Sequence, residues 1–233
     1  IALQEARKSL AGQNTLLGAK VRERTRELER SQEITILSMA TLAETRDNET
    51  GNHIHRTQHY VKVIAEQLHD TNSYPEQLSD SMIESLYKSV PLHDIGKVGV
   101  ADNILKKNGK LNEQEFAEMK RHTTYGRDAI MTSESKMDDQ KTSFLQVARE
   151  IAYSHHEKWD GSGYPQGLSG EDIPLSARIT AVGDVYDALI SKRVYKPAFS
   201  HEKAVEFIRE GKGTHFDPLI IEAFEQCLEK FKV

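Results

Sequence analysis

The stretch SDSMIESLYKSVPLHDIGKVG (79–99) contains the pattern that decides the fold of this chain. Four of its apolar residues recur at the three- and four-residue spacing of a helix that buries one face, and they are Met82, Ile83, Leu86 and Val90. His93 and Asp94 follow this face directly, and two helix-breaking glycines come next. The stretch therefore predicts an amphipathic helix over about 79–92 with a histidine–aspartate pair at its end.

Helical spacing recurs along the chain after residue 45. Further helices are predicted to begin near Thr50 and to span about 112–130, 143–156, 174–190, 201–210 and 217–231. Asn112 followed by glutamate is a helix-start signal, and Pro174 is favoured in a first helical turn. The sequence contains neither an alternating strand pattern of useful length nor an internal repeat. It therefore predicts a single all-α domain over residues 46–233.

Residues 1–45 form a separate region without proline. Apolar residues recur there at heptad spacing, and they are Leu3, Leu10 and Leu17, then Val21, Leu28 and Leu42. The four-residue step from Leu17 to Val21 is the step from position d to position a of a heptad. The remaining core positions hold poor core residues, namely Arg7, Asn14 and Arg24. We predict a helical N-terminal arm that forms a homodimeric coiled coil; the alternative is a single helix packed against its own domain.

Composition limits the class of protein. The formal net charge of −5 argues against a sequence-independent grip on long nucleic acid, which needs a basic surface. The single cysteine, Cys227, excludes an internal disulfide and a cysteine-based zinc site, and it fits a reducing cytoplasm. No apolar run approaches the roughly 20 residues that span a bilayer, and no signal-peptide pattern is present. Because the chain begins with Ile1 rather than Met, we interpret it as part of a longer cytoplasmic protein.

Histidines and carboxylates of the kind that bind metals stand on separate predicted helices. The candidates are Glu49, His53, His93, Asp94, His122, His155, His156 and Asp184. Asp184 lies within an apolar run, where a buried carboxylate is costly unless it is paired or bound to a metal. Asp187 competes with it, with helix capping or pairing to an arginine as the alternative role. Five imidazoles and three carboxylates can hold two or three divalent ions, and this donor set suits iron, manganese, nickel or zinc.

Two of these segments, HDIGKVG (93–99) and HHEKWDGSGYP (155–165), resemble the HD-GYP family of cyclic-dinucleotide phosphodiesterases. The resemblance covers about residues 40–225. It includes ETRDNETGNHIHRT (44–57), GKLNEQEFAEMKRHTTYG (109–126), GLSGEDIPLSARITAVGDVYDAL (167–189) and GTHFDP (213–218). The resemblance implies an HD-type helical bundle in which all eight candidates are metal ligands. It also implies that Glu49 serves a third metal ion.

The resemblance further implies the reaction and its residues. Asp94 and Lys97 are expected to be catalytic, Asp94 by bridging two ions that hold the attacking hydroxide. The residues expected to bind substrate are Lys97, Tyr164, Arg193 and Lys196. The expected substrate is cyclic di-GMP, with 3′3′-cyclic GMP-AMP second, and a receiver or other sensory domain is expected upstream. The alternatives are a catalytically idle cyclic-dinucleotide sensor that signals through the N-terminal helix, and oxygen chemistry at a diiron site.

Overall fold

The computed structural model describes residues 2–46, 52–136, 144–191 and 198–232. The chain forms two units, Ile1–Ser38 and Met39–Val233. No residue within the described ranges belongs to a β-strand, so the prediction of an all-α fold is confirmed. The α-helices are α1 (Ala2–Glu44), α2 (His53–Asp70), α3 (Asp80–Ser89), α4 (Asp102–Leu105), α5 (Glu113–Lys120), α6 (His122–Glu134), α7 (Phe144–Ser154), α8 (Leu175–Ile190), α9 (His201–Glu210) and α10 (Pro218–Gln226). Short 3₁₀ segments cover Val90–Leu92, Ile95–Gly99, Gly170–Asp172 and Leu228–Phe231.

The first unit consists of the N-terminal part of α1. No proline or helix-breaking pair interrupts it, and the helix is continuous through the unit. The apolar residues at heptad spacing remain exposed, from 55% for Val21 to 74% for Leu3. The N-terminal arm is therefore helical, as predicted. The homodimer and the domain boundary at residue 45 stay predictions.

The second unit has one hydrophobic core with α2 at its centre. This helix packs against α3, α8 and α10. Its residues Val61, Ile64 and Leu68 are fully buried, and each such burial contributes roughly 1.5–3 kcal/mol. The ring of Tyr60 contacts the ring of Tyr186 on α8 edge-on, with centroids 4.9 Å apart. The predicted apolar face at 61–68 thus forms the core.

Three predicted helices end earlier than the sequence pattern suggests. The one predicted over 217–231 ends at Gln226, and a separate 3₁₀ turn covers Leu228–Phe231. The helix predicted over 79–92 ends at Ser89, and a 3₁₀ turn follows, because Pro91 has no N–H to continue the α-helical hydrogen bonds. The helix predicted over 112–130 is two helices, α5 and α6, which meet at Arg121. Asn112 caps the start of α5 as predicted. The break makes His122 the first residue of α6.

A buried ion pair joins α8 to the segment before α10. Nη1 of Arg178 lies 2.5 Å from Oδ2 of Asp217, and both side chains are almost completely buried. The hydroxyl of Tyr74 donates to the same carboxylate at 2.7 Å. Asp217 also accepts from the backbone N–H of Leu219 and so caps α10. The GTHFDP segment (213–218) therefore stabilises the packing of the core.

Within the described residues, no helix is both long enough and apolar enough to cross a membrane.

Candidate metal centre

One group of candidate ligands lies where α2 and α8 approach each other closely. A Cβ atom at Gly183 would lie 2.9 Å from Cγ2 of Val61, so this contact requires glycine. His53 opens α2, and its Nε2 lies 3.6 Å from Oδ1 of Asp184 on α8. His93, just after α3, places its Nε2 3.8 Å from the same oxygen. The three side chains can meet one ion, since their ligand atoms lie within 4.8 Å of one another.

A second group lies around Asp94. Its other members are His122, His155 and His156, and the four ligand atoms again lie within 4.8 Å of one another. His122 begins α6, and the two neighbouring histidines follow the end of α7, where the turn lets both face one site. Gly96 makes this arrangement possible, because a Cβ atom there would overlap the carbonyl oxygen of His122.

Asp94 belongs to the second group and also faces the first. Its Oδ1 is 3.4 Å from Nε2 of His122 and 3.8 Å from Nε2 of His155. Its Oδ2 is 3.2 Å from Nε2 of His93, which belongs to the other group. A carboxylate with one oxygen toward each group is suited to bridge two ions.

Backbone carbonyls orient three of the imidazoles. Nδ1 of His93 donates to the carbonyl of Val90 at 2.9 Å. Nδ1 of His122 donates to Met119 at 2.7 Å, and Nδ1 of His155 donates to Ile151 at 2.9 Å. In the neutral ring each bond leaves the lone pair on Nε2, which points into the cluster, as metal-ligating histidines require.

The atoms that face the interior of the cluster fit a metal centre. The buried Nε2 atoms of His93, His122 and His155 accept or donate no hydrogen bond within the described part of the chain, and neither does Oδ1 of Asp94. A buried polar atom without such a bond costs about 1–3 kcal/mol. Bound cations would satisfy all four of these atoms, which converge on one space.

The electrostatics of the cluster also fit cations. Burial lowers the pKa of His155 to about 4, and burial lowers the pKa of His122 as well, so both rings are neutral and can donate a lone pair at neutral pH. Burial also lowers the pKa of His93, but the charges of Asp94 and Asp184 outweigh it and raise this pKa to about 10. Binding of a metal at His93 therefore requires release of a proton.

His53 is oriented by a side chain instead of a carbonyl. Its Nδ1 donates to Oδ2 of Asp187 at 2.7 Å, and Arg56 holds both oxygens of this carboxylate. Burial raises the pKa of Asp187, but the hydrogen bonds from His53 and Arg56 lower it below its ordinary value. In the structure Asp187 pairs with an arginine, which is the alternative role predicted for it. The sequence reasoning missed Arg56, although it lies one helical turn after His53.

Lys97 lies at the edge of the cluster. Its Nζ is 2.8 Å from Oδ2 of Asp94. Burial raises the pKa of Asp94, but the positive charge of Lys97 and the neighbouring His93 keep it well below its ordinary value. The carboxylate of Asp94 is therefore ionised.

Tyr164 covers the cluster from the loop after α7. Its ring lies 4.7 Å from the ring of His156, measured between centroids. The buried carboxylate of Glu157 holds this loop by accepting the backbone N–H groups of Gln166 and Leu168 at 2.7 and 3.1 Å. Burial raises the pKa of Tyr164, so its hydroxyl stays protonated and can donate a hydrogen bond.

The structure brings together seven of the eight predicted metal ligands. Glu49, the eighth, lies outside the described residues, and so do Arg193 and Lys196. Lys97 and Tyr164 lie beside the cluster.

A family model described as HD domain matches residues 37–220 of the chain. The chain belongs to the HD domain family. HD domain phosphohydrolases depend on metals, and the His/Asp clusters described above could bind them.

Curated relatives place this HD domain among the HD-GYP proteins. A probable cyclic di-GMP phosphodiesterase of Vibrio cholerae is 54% identical over 92% of the chain and 48% of its own length. A cyclic di-GMP phosphodiesterase of the same organism is 55% identical over 88% of the chain and 41% of its own length. A 3′3′-cGAMP-specific phosphodiesterase 2, also from V. cholerae, is 39% identical over 95% of the chain and 38% of its own length. The chain thus spans less than half the length of each of these relatives.

Solved structures have the same fold. A cyclic GMP-AMP specific phosphodiesterase of V. cholerae, V-cGAP3, aligns with a TM-score of 0.61 and 22% identity, over 85% of this chain and 48% of that one. An HD-GYP-type protein of Bdellovibrio bacteriovorus aligns with a TM-score of 0.53 and 18% identity, over 78% of this chain and 54% of that one. At these identities the likeness supports the HD-type helical bundle.

Proposed function

We propose that the chain is a metal-dependent phosphodiesterase that hydrolyses a 3′,5′-cyclic dinucleotide. The observation that carries the proposal is the position of Asp94 between two groups of histidine and carboxylate ligands. Cyclic di-GMP is the first choice of substrate, because the relatives at 54% and 55% identity are named for it. The relative named for 3′3′-cGAMP, at 39%, makes that nucleotide the second choice.

The proposed centre holds two or three divalent ions of iron, manganese, nickel or zinc. Its proposed ligands are Glu49, His53, His93, Asp94, His122, His155, His156 and Asp184. Bound divalent ions supply a Lewis acid and lower the pKa of a bound water. Glu49 is proposed to serve a third ion.

Residues beside the centre are proposed to handle the substrate. The ammonium of Lys97 lies next to Asp94, where it can neutralise a phosphate or protonate the leaving oxygen. The protonated hydroxyl of Tyr164 can donate a hydrogen bond to the same group. Arg193 and Lys196 are proposed to hold the nucleotide through a phosphate or a base edge, for which the planar guanidinium is well suited.

The second candidate is an idle sensor that binds the nucleotide without cleaving it. The complete set of proposed ligands disfavours it. Since the chain spans less than half of its relatives, a further sensory domain upstream and a cytoplasmic location are proposals for the full-length protein.

The test is turnover combined with metal analysis. The purified chain is analysed for bound metals and then incubated with cyclic di-GMP or 3′3′-cGAMP, with products separated by chromatography. We expect a linear dinucleotide or mononucleotide to form, and chelator-treated protein to form none until metal is restored. Tight binding of the nucleotide by metal-loaded protein without any product would favour the sensor.

A further inference from the structure

A row of aromatic rings leads outward from the candidate metal centre. His156 contacts Tyr164, and the ring of Tyr164 meets the ring of Phe116 edge-on, with centroids 6.0 Å apart. Phe116 lies on α5 and is 45% exposed. The row therefore begins at a proposed metal ligand and ends in an aromatic surface open to solvent.

A lysine lies over the outer two rings of this row. Nζ of Lys120 is 5.3 Å from the centroid of Phe116 and 5.8 Å from that of Tyr164. In the ranges of the chain that the structure describes, no carboxylate forms an ion pair with Lys120. A positive charge is thus held at the outer end of the row, beside an exposed ring, in a chain of net charge −5.

A single exposed phenylalanine is common on protein surfaces and needs no functional reason. Phe207 on α9 is an example with the same 45% exposure. Phe116 differs because it combines exposure with ring contact to Tyr164 and with a cation above it. An aromatic face next to a cation is the chemistry that binds the base and the phosphate of a nucleotide.

We propose that Phe116 and Lys120 form a contact surface for one nucleotide unit of the substrate. The inference rests on the proposed function. It adds a binding surface for the part of the substrate that lies away from the metals. The ring of Phe116 stacks on a base, which every base permits because each has a π-face. The ammonium of Lys120 faces the phosphate that is not being cleaved. The surface recognises a nucleotide without selecting its base.

The experiment measures kcat and KM of the metal-loaded protein with cyclic di-GMP and with 3′3′-cGAMP. The variants are Phe116→Ala, Phe116→Trp and Lys120→Met. Phe207→Ala is the control for an equally exposed phenylalanine. Lys62→Met is the control for a lysine over a ring, since Nζ of Lys62 lies 5.4 Å from the ring of Tyr87. Metal content and melting temperature are recorded for each protein.

We expect KM for both nucleotides to rise roughly tenfold in Phe116→Ala, which corresponds to about 1.4 kcal/mol. The Phe116→Trp variant should restore KM, because a larger ring stacks at least as well. Lys120→Met should raise KM, and the rise should shrink at high salt, as expected for a charge contact. The two controls should match the unaltered protein.

Two results would overturn this inference and leave the proposed function standing. One is a KM of Phe116→Ala and Lys120→Met within about twofold of the unaltered protein, the size of an ordinary surface substitution. The other is a fall in kcat at constant KM that Phe116→Trp does not restore, since this pattern means that the ring only supports Tyr164. Absence of any turnover by the unaltered, metal-loaded protein overturns the proposed function, and this inference with it.

Discussion

Nδ1 of His53 on α2 lies 2.7 Å from Oδ2 of Asp187 on α8, and the two residues are 134 positions apart in the chain. Arg56 holds the same carboxylate from the other side through Nε and Nη2, at 2.6 and 2.9 Å. Asp187 is a competing ligand candidate by sequence alone, but in the structure it positions His53, a proposed ligand. It fixes the tautomer of His53 and aims its Nε2 at Asp184.

Asp187→Asn should weaken metal binding without unfolding the protein. The amide keeps the size of the side chain but loses the charge that orients His53, and such changes typically cost about 10–100-fold in metal affinity. Calorimetric titration of metal-free protein with Mn²⁺ checks this. Asp128→Asn is the control, because Asp128 is an exposed carboxylate paired with Arg127 on α6. Equal affinities for the two variants would mean that Asp187 only stabilises the packing of α2 and α8.

Asp94→Ala should abolish turnover and also reduce the bound metal, because it removes the carboxylate that faces both groups. Lys97→Met should abolish most turnover but leave the metal content unchanged, since a lysine is not expected to be a ligand. Elemental analysis and product formation, measured on the same samples, separate the two effects. Normal metal content in Asp94→Ala would contradict the bridging role.

Arg193→Ala should weaken binding of the cyclic dinucleotide by about 1–3 kcal/mol, the scale of a lost charge-assisted hydrogen bond. The metal content should not change, and hydrolysis of bis(p-nitrophenyl) phosphate should be nearly normal. A parallel loss of both activities would show that Arg193 supports the metal site or the fold.

Leu17→Glu should convert a dimer into a monomer if the N-terminal arm is a coiled coil. Leu17 occupies a d position and is exposed in the single chain, so a second copy is needed to bury it. Arg26→Glu changes the opposite face of the same helix and should leave the dimer intact. Light scattering reports the mass of each variant. A monomeric unaltered protein at high concentration would rule out the coiled coil.

Asp217→Ala should lower the free energy of unfolding by about 3–5 kcal/mol, because it leaves the charge of Arg178 buried without its partner. Urea denaturation followed by circular dichroism measures the loss. Asp102→Ala removes an exposed ion pair with Arg46 and should have a much smaller effect. A similar loss in both variants would show that burial does not determine how much the Arg178–Asp217 ion pair contributes to stability.

The sequence predicted the features that depend on local spacing. The apolar residues from Met82 to Val90 predicted a helix, and α3 covers most of that range because helical period is a property of neighbouring residues. The pattern across Arg121 predicted one helix where there are two. That break accompanies the contact of Gly96 with the carbonyl of His122, which no local spacing reveals.

In the candidate site, too, the sequence indicated local features but not contacts between distant segments. The histidines and carboxylates could be selected because they are polar residues at the ends or on the buried faces of predicted helices. Their convergence on Asp94 depends on how α6, α7 and α8 pack. The pairing of His53 with Asp187 also joins distant parts of the chain, and no local spacing indicates it.

The carbonyl groups that orient His93, His122 and His155 have a consequence for how the site assembles. Each carbonyl belongs to the turn just before its own histidine, at Val90, Met119 and Ile151. The orientation of these three imidazoles is therefore set by local backbone. His53 is set only when α8 docks on α2 and delivers Asp187. The orientation of His53 therefore depends on the packing of α8 against α2, whereas each of the other three imidazoles is oriented by its own turn.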